Sequence, residues 1–379
     1  MGDNSSSAAH PAHQTAHVID AVRAPSPPLP KPSVTNTIPP FQPGQSYTFH
    51  QTTIPIPPLP PSSILVRLSV TGICGTDTNL AAGLLGPTHP SGILGHEGVG
   101  TIVAVGPSVS LSPSAVKPGQ VVGVGWIRDA CGSCRNCVSG EGETRCVNRT
   151  FSGVHVPGTL CQYAIVPERY LTVLPDDLAP EVMAPIMCAG VTAYRAVKTA
   201  GVTPGSWVLV SGAAGGVGAL AVQYARAMGY RVVAVDGGEK RRGQCLESGA
   251  EVYVDFETED VTAVVERVTD GRLCAAALVC IGVPAAYEAA LACLGYFGVL
   301  VCVGIPPPTG KFAIHPLRLI DSGIRIVGSL VGGRGDIAEA MEFVRRGVVK
   351  PKVISIKPEE LNEYARKLPE LGGKLVVTL

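Results

Sequence analysis

The chain has 379 residues, of which 46% are apolar and 16% charged, enough to fill one large core or two ordinary ones. Formal net charge is zero, which removes any electrostatic case for nucleic acid or an anionic membrane surface as a partner. The 45 glycines against 7 phenylalanines suit many tight turns between strands and helices.

Residues 1–50 read as a Pro-rich, poorly ordered extension with at most an edge strand or two. Only "HVIDAV" and "SYTFHQ" are pieces that could pair. "PSPPLPKP" could adopt polyproline II and dock a partner. No apolar stretch follows a positive start, so no secretory leader is expected. From Ser63 the texture turns to β. "ILVRLSVTGI", "GVGTIVAVG" and "GQVVGVGW" are short strands between Gly and Pro turns, predicting a twisted, mainly antiparallel domain.

From about Pro185 strands and helices alternate. "SWVLVSG", "YRVVAVD", "EVYVDF", "AAALVCIG" and "GVLVCVG" are buried-type strands. Between the first two, Val217, Leu220, Ala221, Tyr224 and Met228 share one helical face. "VTAVVERVTDG" and "PAAYEAALACLG" also have helical spacing. This alternation predicts a parallel sheet with helices on both faces. Beyond Gly332, Asp336 is placed to cap a helix with Ile337, Ala340, Met341 and Val344 inward. A further helix near Pro358 and a last strand, "GKLVVTL", follow. The longest apolar runs, such as "CAAALVCIGV", are too short to span a bilayer.

"VLVSGAAGGVGALAVQYARAMGYRVVAVD" carries the first functional signal. Gly212, Gly215 and Gly218 are spaced by three, with Gly216 and Val217 between them, where a strand passes into a helix. Such a loop brings backbone N–H groups and a helix N-terminus to a pyrophosphate. Asp236 ends the next strand, about 20 residues on, where a carboxylate accepts from the adenosine ribose hydroxyls. It would repel a 2′-phosphate, favouring NAD over NADP. Lys240 and Arg241 follow closely and weaken that preference.

"CGSCRNCVSGEGETRC" supplies Cys131, Cys134, Cys137 and Cys146. Three cysteines at two-residue gaps and a fourth after eight residues can wrap one tetrahedral ion with no open position, hence a structural zinc site. A disulfide pair or an iron–sulfur cluster are the alternatives. Twelve cysteines in all, four at metal-like spacing and the rest mostly in apolar runs, predict a reducing, cytoplasmic compartment.

The four-cysteine lobe, the glycine loop and "GHEGVG" together resemble the zinc-containing alcohol dehydrogenases of the medium-chain dehydrogenase/reductase superfamily. The likeness is strongest to the tetrameric microbial branch, in "APIMCAGVTAY", "SGAAGGVGALAVQYARAMGYRVVAVDGGE" and "GSLVGGR". It covers about residues 54–379. The resemblance implies an α/β protein with a GroES-like, mainly antiparallel β catalytic domain (51–184 and 331–379). A Rossmann, doubly wound parallel-sheet coenzyme domain (185–330) would complete it. It also implies two zinc ions per chain, NAD(H), a small-molecule alcohol or aldehyde substrate, and a homodimer or homotetramer. "GVLVCVG" and its neighbours would then add to a partner's sheet edge.

By the same resemblance Cys74, His96 and Cys188 ligate a catalytic zinc with one open position. Taken singly, Cys188 reads as a small buried residue and His96 as a structural histidine; the joint pattern carries the assignment. Asp77 would orient His96. Glu97 would sit behind the ion and ligate it transiently, or else form a buried salt bridge with Lys374. Thr76 would take the alcohol's proton. The family passes that proton to a histidine where this chain has Asn79, which cannot titrate near neutral pH. Gly75 replaces a His or Arg on the pyrophosphate, and Lys374 replaces an arginine on the same phosphate, which implies weaker cofactor binding.

Thr192, and the backbone of Val303 and Ile305, would receive the nicotinamide. Trp126, Leu85, Leu330 and Val331 would line the pocket, each with plain core filling as its alternative. Leu85 stands where a tryptophan narrows the pocket, which implies a medium-sized primary alcohol or aldehyde, in secondary metabolism. An NADP(H)-dependent aldehyde reductase and a non-catalytic nucleotide-binding protein are the competing readings. The second would lack a ligand residue, and none is missing.

Overall fold

A computed structural model describes residues 10–19, 46–110, 116–139, 142–307 and 309–379. Two large sheets organise it. The first is parallel, with six strands in the order Val252–Asp255, Arg231–Asp236, Trp207–Ser211, Cys274–Val279, Leu294–Cys302 and Arg325–Gly328. Chain order reverses between Trp207–Ser211 and Cys274–Val279. Ligands of such sheets sit outside the strand C-termini at that reversal. Val, Leu and Ala predominate in the buried middles of these strands, because helices cover both faces. On the helix Gly218–Ala227, Leu220, Ala221 and Tyr224 are buried, and Val217 and Met228 pack beside them.

The second sheet runs Val353–Ile356, Lys374–Thr378, Ser63–Ile73, Glu97–Val105, Val121–Val124 and Thr172–Val173, with Tyr163–Pro167 also on Ser63–Ile73. All its pairs are antiparallel except the first. Its register matters for chemistry. Gly72 faces Glu97, and Leu375 faces Ile73, so residues far apart in sequence meet beside Cys74.

Three expectations become more specific. Within residues 1–50, His13–Ile19 is a strand paired antiparallel with Phe49–Pro55, and Ala16, Ile19 and Phe49 are buried. Of the two pieces able to pair, the described residues 17–19 pair with 49–51, and their apolar side packs into the core. The polyproline stretch "PSPPLPKP" lies outside the described residues. Asp336 is not the cap residue of the helix Arg334–Arg345. It sits one turn in, and its carboxylate accepts from the Gly333 N–H at 3.1 Å. Ile337, Ala340, Met341 and Val344 are buried as expected. Finally, Leu294–Cys302 is hydrogen-bonded on both sides, so the open edge of the parallel sheet is its neighbour Arg325–Gly328. No described helix is long and apolar enough to cross a membrane.

Candidate active site

Cys74 ends the strand Ser63–Ile73 and caps the helix Gly75–Ala81. Its N–H donates to Asp77 Oδ2 at 2.9 Å, and the Gly95 N–H donates to Asp77 Oδ1 at 3.0 Å. The same Oδ1 lies 2.8 Å from His96 Nδ1. One buried carboxylate therefore fixes the Cys74 turn, the Gly95 turn and the His96 ring, leaving Nε2 to face the thiols. Cys188 arrives from the start of the helix Ala189–Ala200. One ligand atom each from Cys74, His96, Glu97 and Cys188 lies within 4.8 Å of the others.

The electrostatics suit a cation. A hydrogen bond with Cys188 pulls the Cys74 thiol well below its usual range, and Lys374 adds to this; Cys188 is raised by the same bond. Burial alone would lower His96, but the Asp77 carboxylate overcomes it. Burial pushes Glu97 up to about 7 against the pull of Lys374. Glu97 Oε1 accepts from Lys374 Nζ at 2.6 Å, while its buried Oε2 has no partner. A Cβ at Gly72 would lie 2.0 Å from that Oε2, so only glycine leaves the carboxylate room. Two thiols, an imidazole and an orphan carboxylate oxygen fit a zinc ion.

Lys374 is thus not free for a phosphate. Its ammonium sits on Glu97 and, at 3.3 Å, on the Ile73 carbonyl, because a buried carboxylate demands a cation. Only its stem touches the glycine loop, where a Cβ at Gly216 would lie 2.9 Å from Lys374 Cδ. The salt-bridge alternative for Glu97 is the arrangement found.

Cys131, Cys134, Cys137 and Cys146 form a second cluster, again within 4.8 Å. Cys146 Sγ is 3.5 Å from Cys131 Sγ and 3.9 Å from Cys134 Sγ. A disulfide needs about 2.0 Å, and all twelve cysteines are free. A tetrahedron with metal–sulfur bonds of about 2.3 Å has edges near 3.8 Å, so the lobe fits one zinc and is too tight for a multi-iron cluster. Backbone N–H donors from Ser133 and Cys134 hold the Cys131 thiol down at about 5, in its thiolate form.

The glycine loop joins the strand Trp207–Ser211 to the helix Gly218–Ala227. Gly212 has φ 73°, and a Cβ at Gly218 would lie 2.0 Å from the Gly212 carbonyl oxygen. Both positions require glycine. Asp236 is 4% exposed. Its Oδ2 accepts from the Ala214 N–H at 2.8 Å and its Oδ1 from the Gly237 N–H at 2.9 Å and from Arg241. The carboxylate braces the loop and is already paired, a departure from a free ribose acceptor. Lys240 is exposed.

Around Cys74, Thr76 Oγ1 is 3.9 Å from its sulfur. Asn79 and Gly75 are exposed, and a Cβ at Gly75 would meet nothing within 4 Å. Thr192 spends its hydroxyl on the Cys188 carbonyl at 2.6 Å. Trp126 meets His96 edge to face at 5.1 Å between ring centroids. Leu85 packs with it on the edge of one core cluster, and Val331 on the edge of another. Leu330 is half-buried beside Val331, Val303 is half-buried, and Ile305 is 67% exposed.

Sequence reading missed Phe151, which stacks on Trp126 at 4.8 Å, and Arg149, 5.4 Å from the Phe151 ring centre. Neither falls in a motif; only an aromatic shortly after Cys146 hinted at it. Among the described residues, the buried side-chain polar atoms without a partner are Glu97 Oε2, Arg149 Nε and Ser329 Oγ. Such atoms ask for a functional reason, and Glu97 lies in the ligand cluster itself.

Known proteins match this architecture. Residues 60–176 match the alcohol dehydrogenase GroES-like domain family, and residues 216–346 the zinc-binding dehydrogenase family. Alcohol dehydrogenase 2 of Emericella nidulans is 39% identical over 335 residues, covering 84% of this chain and 90% of its own. An alcohol dehydrogenase of Geobacillus stearothermophilus is 37% identical over 331 residues, covering 85% and 93%. The solved alcohol dehydrogenase of Aeropyrum pernix superposes with a TM-score of 0.77 at 29% identity, covering 87% and 96%. Acetophenone reductase of Geotrichum candidum, solved with NAD, gives 0.78 at 28% identity, covering 98% of both chains. With both cysteine sets in place and relatives aligned along most of its length, the chain belongs to the zinc-containing alcohol dehydrogenase family of the medium-chain dehydrogenase/reductase superfamily.

Proposed function

We propose that this is a zinc-dependent alcohol dehydrogenase that moves a hydride between a medium-sized primary alcohol or its aldehyde and NAD(H). The observation that carries this reading is the convergence of Cys74, His96 and Cys188 within 4.8 Å, with the His96 ring oriented by Asp77. When bound there, zinc supplies Lewis acidity toward the substrate oxygen. Cys131, Cys134, Cys137 and Cys146 would hold the second, structural ion.

The chain's own residues do the rest. Asp77 keeps the His96 Nε2 lone pair directed at the thiols. Trp126 excludes water on the His96 side, and Leu85 leaves more width than an indole would. Thr76 accepts the proton released by the alcohol. Asn79, exposed one turn further on the helix, cannot carry it, so the proton passes to solvent. An Asn79→His chain regains a titratable group; its pH–rate profile moves relative to wild type, and an unchanged profile contradicts the missing-relay reading.

NAD(H) is favoured because the buried Asp236 carboxylate ends the strand after the glycine loop, where it would repel a 2′-phosphate. One observation supports the NADP(H)-dependent reading instead. Arg241, 42% exposed, already pairs with Asp236 and could turn to a phosphate. Comparing kcat/KM with NADH and NADPH decides between them. A ratio of at least about tenfold for NADH is expected from one like-charge clash of a kcal/mol or more, and preference for NADPH contradicts it.

A further inference from the structure

Val331 has φ 38°, a left-handed backbone that a β-branched side chain adopts only under constraint. The constraint comes from both flanks and from one place, the turn Glu143–Arg145 beside Cys146. Before Val331, the Gly328 carbonyl accepts from Arg145 Nη2 at 3.0 Å. After it, Glu143 grips Arg334 through the backbone N–H at 3.2 Å, through Nε at 3.0 Å and through Nη2. The Arg334 guanidinium also lies 4.9 Å from the Tyr170 ring centre and donates to the Arg169 carbonyl at 2.8 Å.

Between these ties runs the passage from the parallel sheet back to the second sheet. Its Val331 side chain packs against the small core of Ile127, Ala130, Cys146 and Tyr170, and Trp126 packs against the same core. Two residues earlier, the Ser329 N–H holds the Cys302 carbonyl at 3.0 Å, and its buried Oγ has no partner. Trp126, in turn, lies on His96. The strained residue therefore shares a small core with the ring that lies on His96.

We propose that Glu143 and Arg145 are positioning residues for the reaction. They hold Gly328–Arg334 in the strained form that sets Ser329–Val331 beside Trp126, and so tune how the nicotinamide end of the cofactor and the substrate are bound. This rests on the reading that a nicotinamide cofactor binds at these strand ends. The four-cysteine lobe then acts on the pocket through its own turn, and not only as a fold staple.

The test is NADH fluorescence titration, with KM and kcat, on wild type, Glu143→Gln, Arg334→Met, their double variant, and Glu143→Gln/Val331→Gly. Loss of a charge-assisted clamp should weaken NADH binding by about tenfold in each single variant. The Glu143→Gln/Arg334→Met chain should lose clearly less than the two single losses combined, since both share the Glu143–Arg334 contact. Glycine takes a positive φ without being held, so Val331→Gly should bring Glu143→Gln back to within about threefold of wild type. Wild-type constants in both single variants, even with a lowered melting temperature, would overturn the proposal. So would a defect that Val331→Gly leaves in place. A wild-type chain that binds neither NADH nor NADPH would overturn the cofactor reading as well, and is distinguishable from a clamp that does nothing.

Discussion

Asp77 shows how much one side chain can decide. It is 1% exposed and takes hydrogen bonds from two backbone turns and one imidazole, so one carboxylate fixes how Cys74 and His96 are presented. Gly75, its neighbour, shows the opposite. It is exposed, and a Cβ there would touch nothing within 4 Å, so no packing reason requires glycine. A Gly75→Arg chain should fold normally and bind NADH about tenfold more tightly, through one charge-assisted bond to a phosphate. Fluorescence titration checks this, and unchanged affinity would show that the pyrophosphate passes out of reach. The meeting of Cys74, His96 and Cys188 was legible in sequence because "GICGTD", "GHE" and "MCAG" are short and ordered. The Lys374 ammonium was not, since whether it faces a phosphate or Glu97 depends on a meeting 277 positions apart.

At the scale of elements, strand register makes that meeting. Lys374 opens the last strand, antiparallel to Ser63–Ile73, and Glu97 opens the strand on the other side. Glu97 is fully buried, so removing its cation leaves an uncompensated charge, at a cost of about 3–5 kcal/mol. Chemical denaturation of Lys374→Met should show a loss of that order, and Glu97→Gln/Lys374→Met should recover most of it. A Lys374→Met chain as stable as wild type would mean that the pair contributes nothing. Helices and strands of the parallel sheet were readable from period alone, because each is buried in a regular way. The strand His13–Ile19 was half-readable. Its sequence can pair, but what buries Ala16 and Ile19 is packing against distant residues such as Ile93 and Leu160, which no local pattern records.

Across the whole molecule, the candidate site lies where the antiparallel sheet meets the glycine loop of the parallel one, at Lys374 and Gly216. The parallel sheet presents its strand ends and glycine loop, and the antiparallel sheet presents Cys74, His96 and Glu97. Cys188 lies just before the helix Ala189–Ala200, which leads into the parallel sheet. The four-cysteine lobe ties the return passage at Gly328 and Arg334. Fold class and family were legible from motif order. The ties between lobe and passage were not, since Glu143 and Arg334 have no spacing rule. The account stands most directly on NADH formation from a panel of primary alcohols by wild type and by His96→Ala, which keeps the four-cysteine lobe. Wild type should form NADH, and His96→Ala should fall by at least about a thousandfold, as expected when a site loses its principal electrostatic stabiliser. No product from wild type with any alcohol, or equal rates in the two chains, would contradict it.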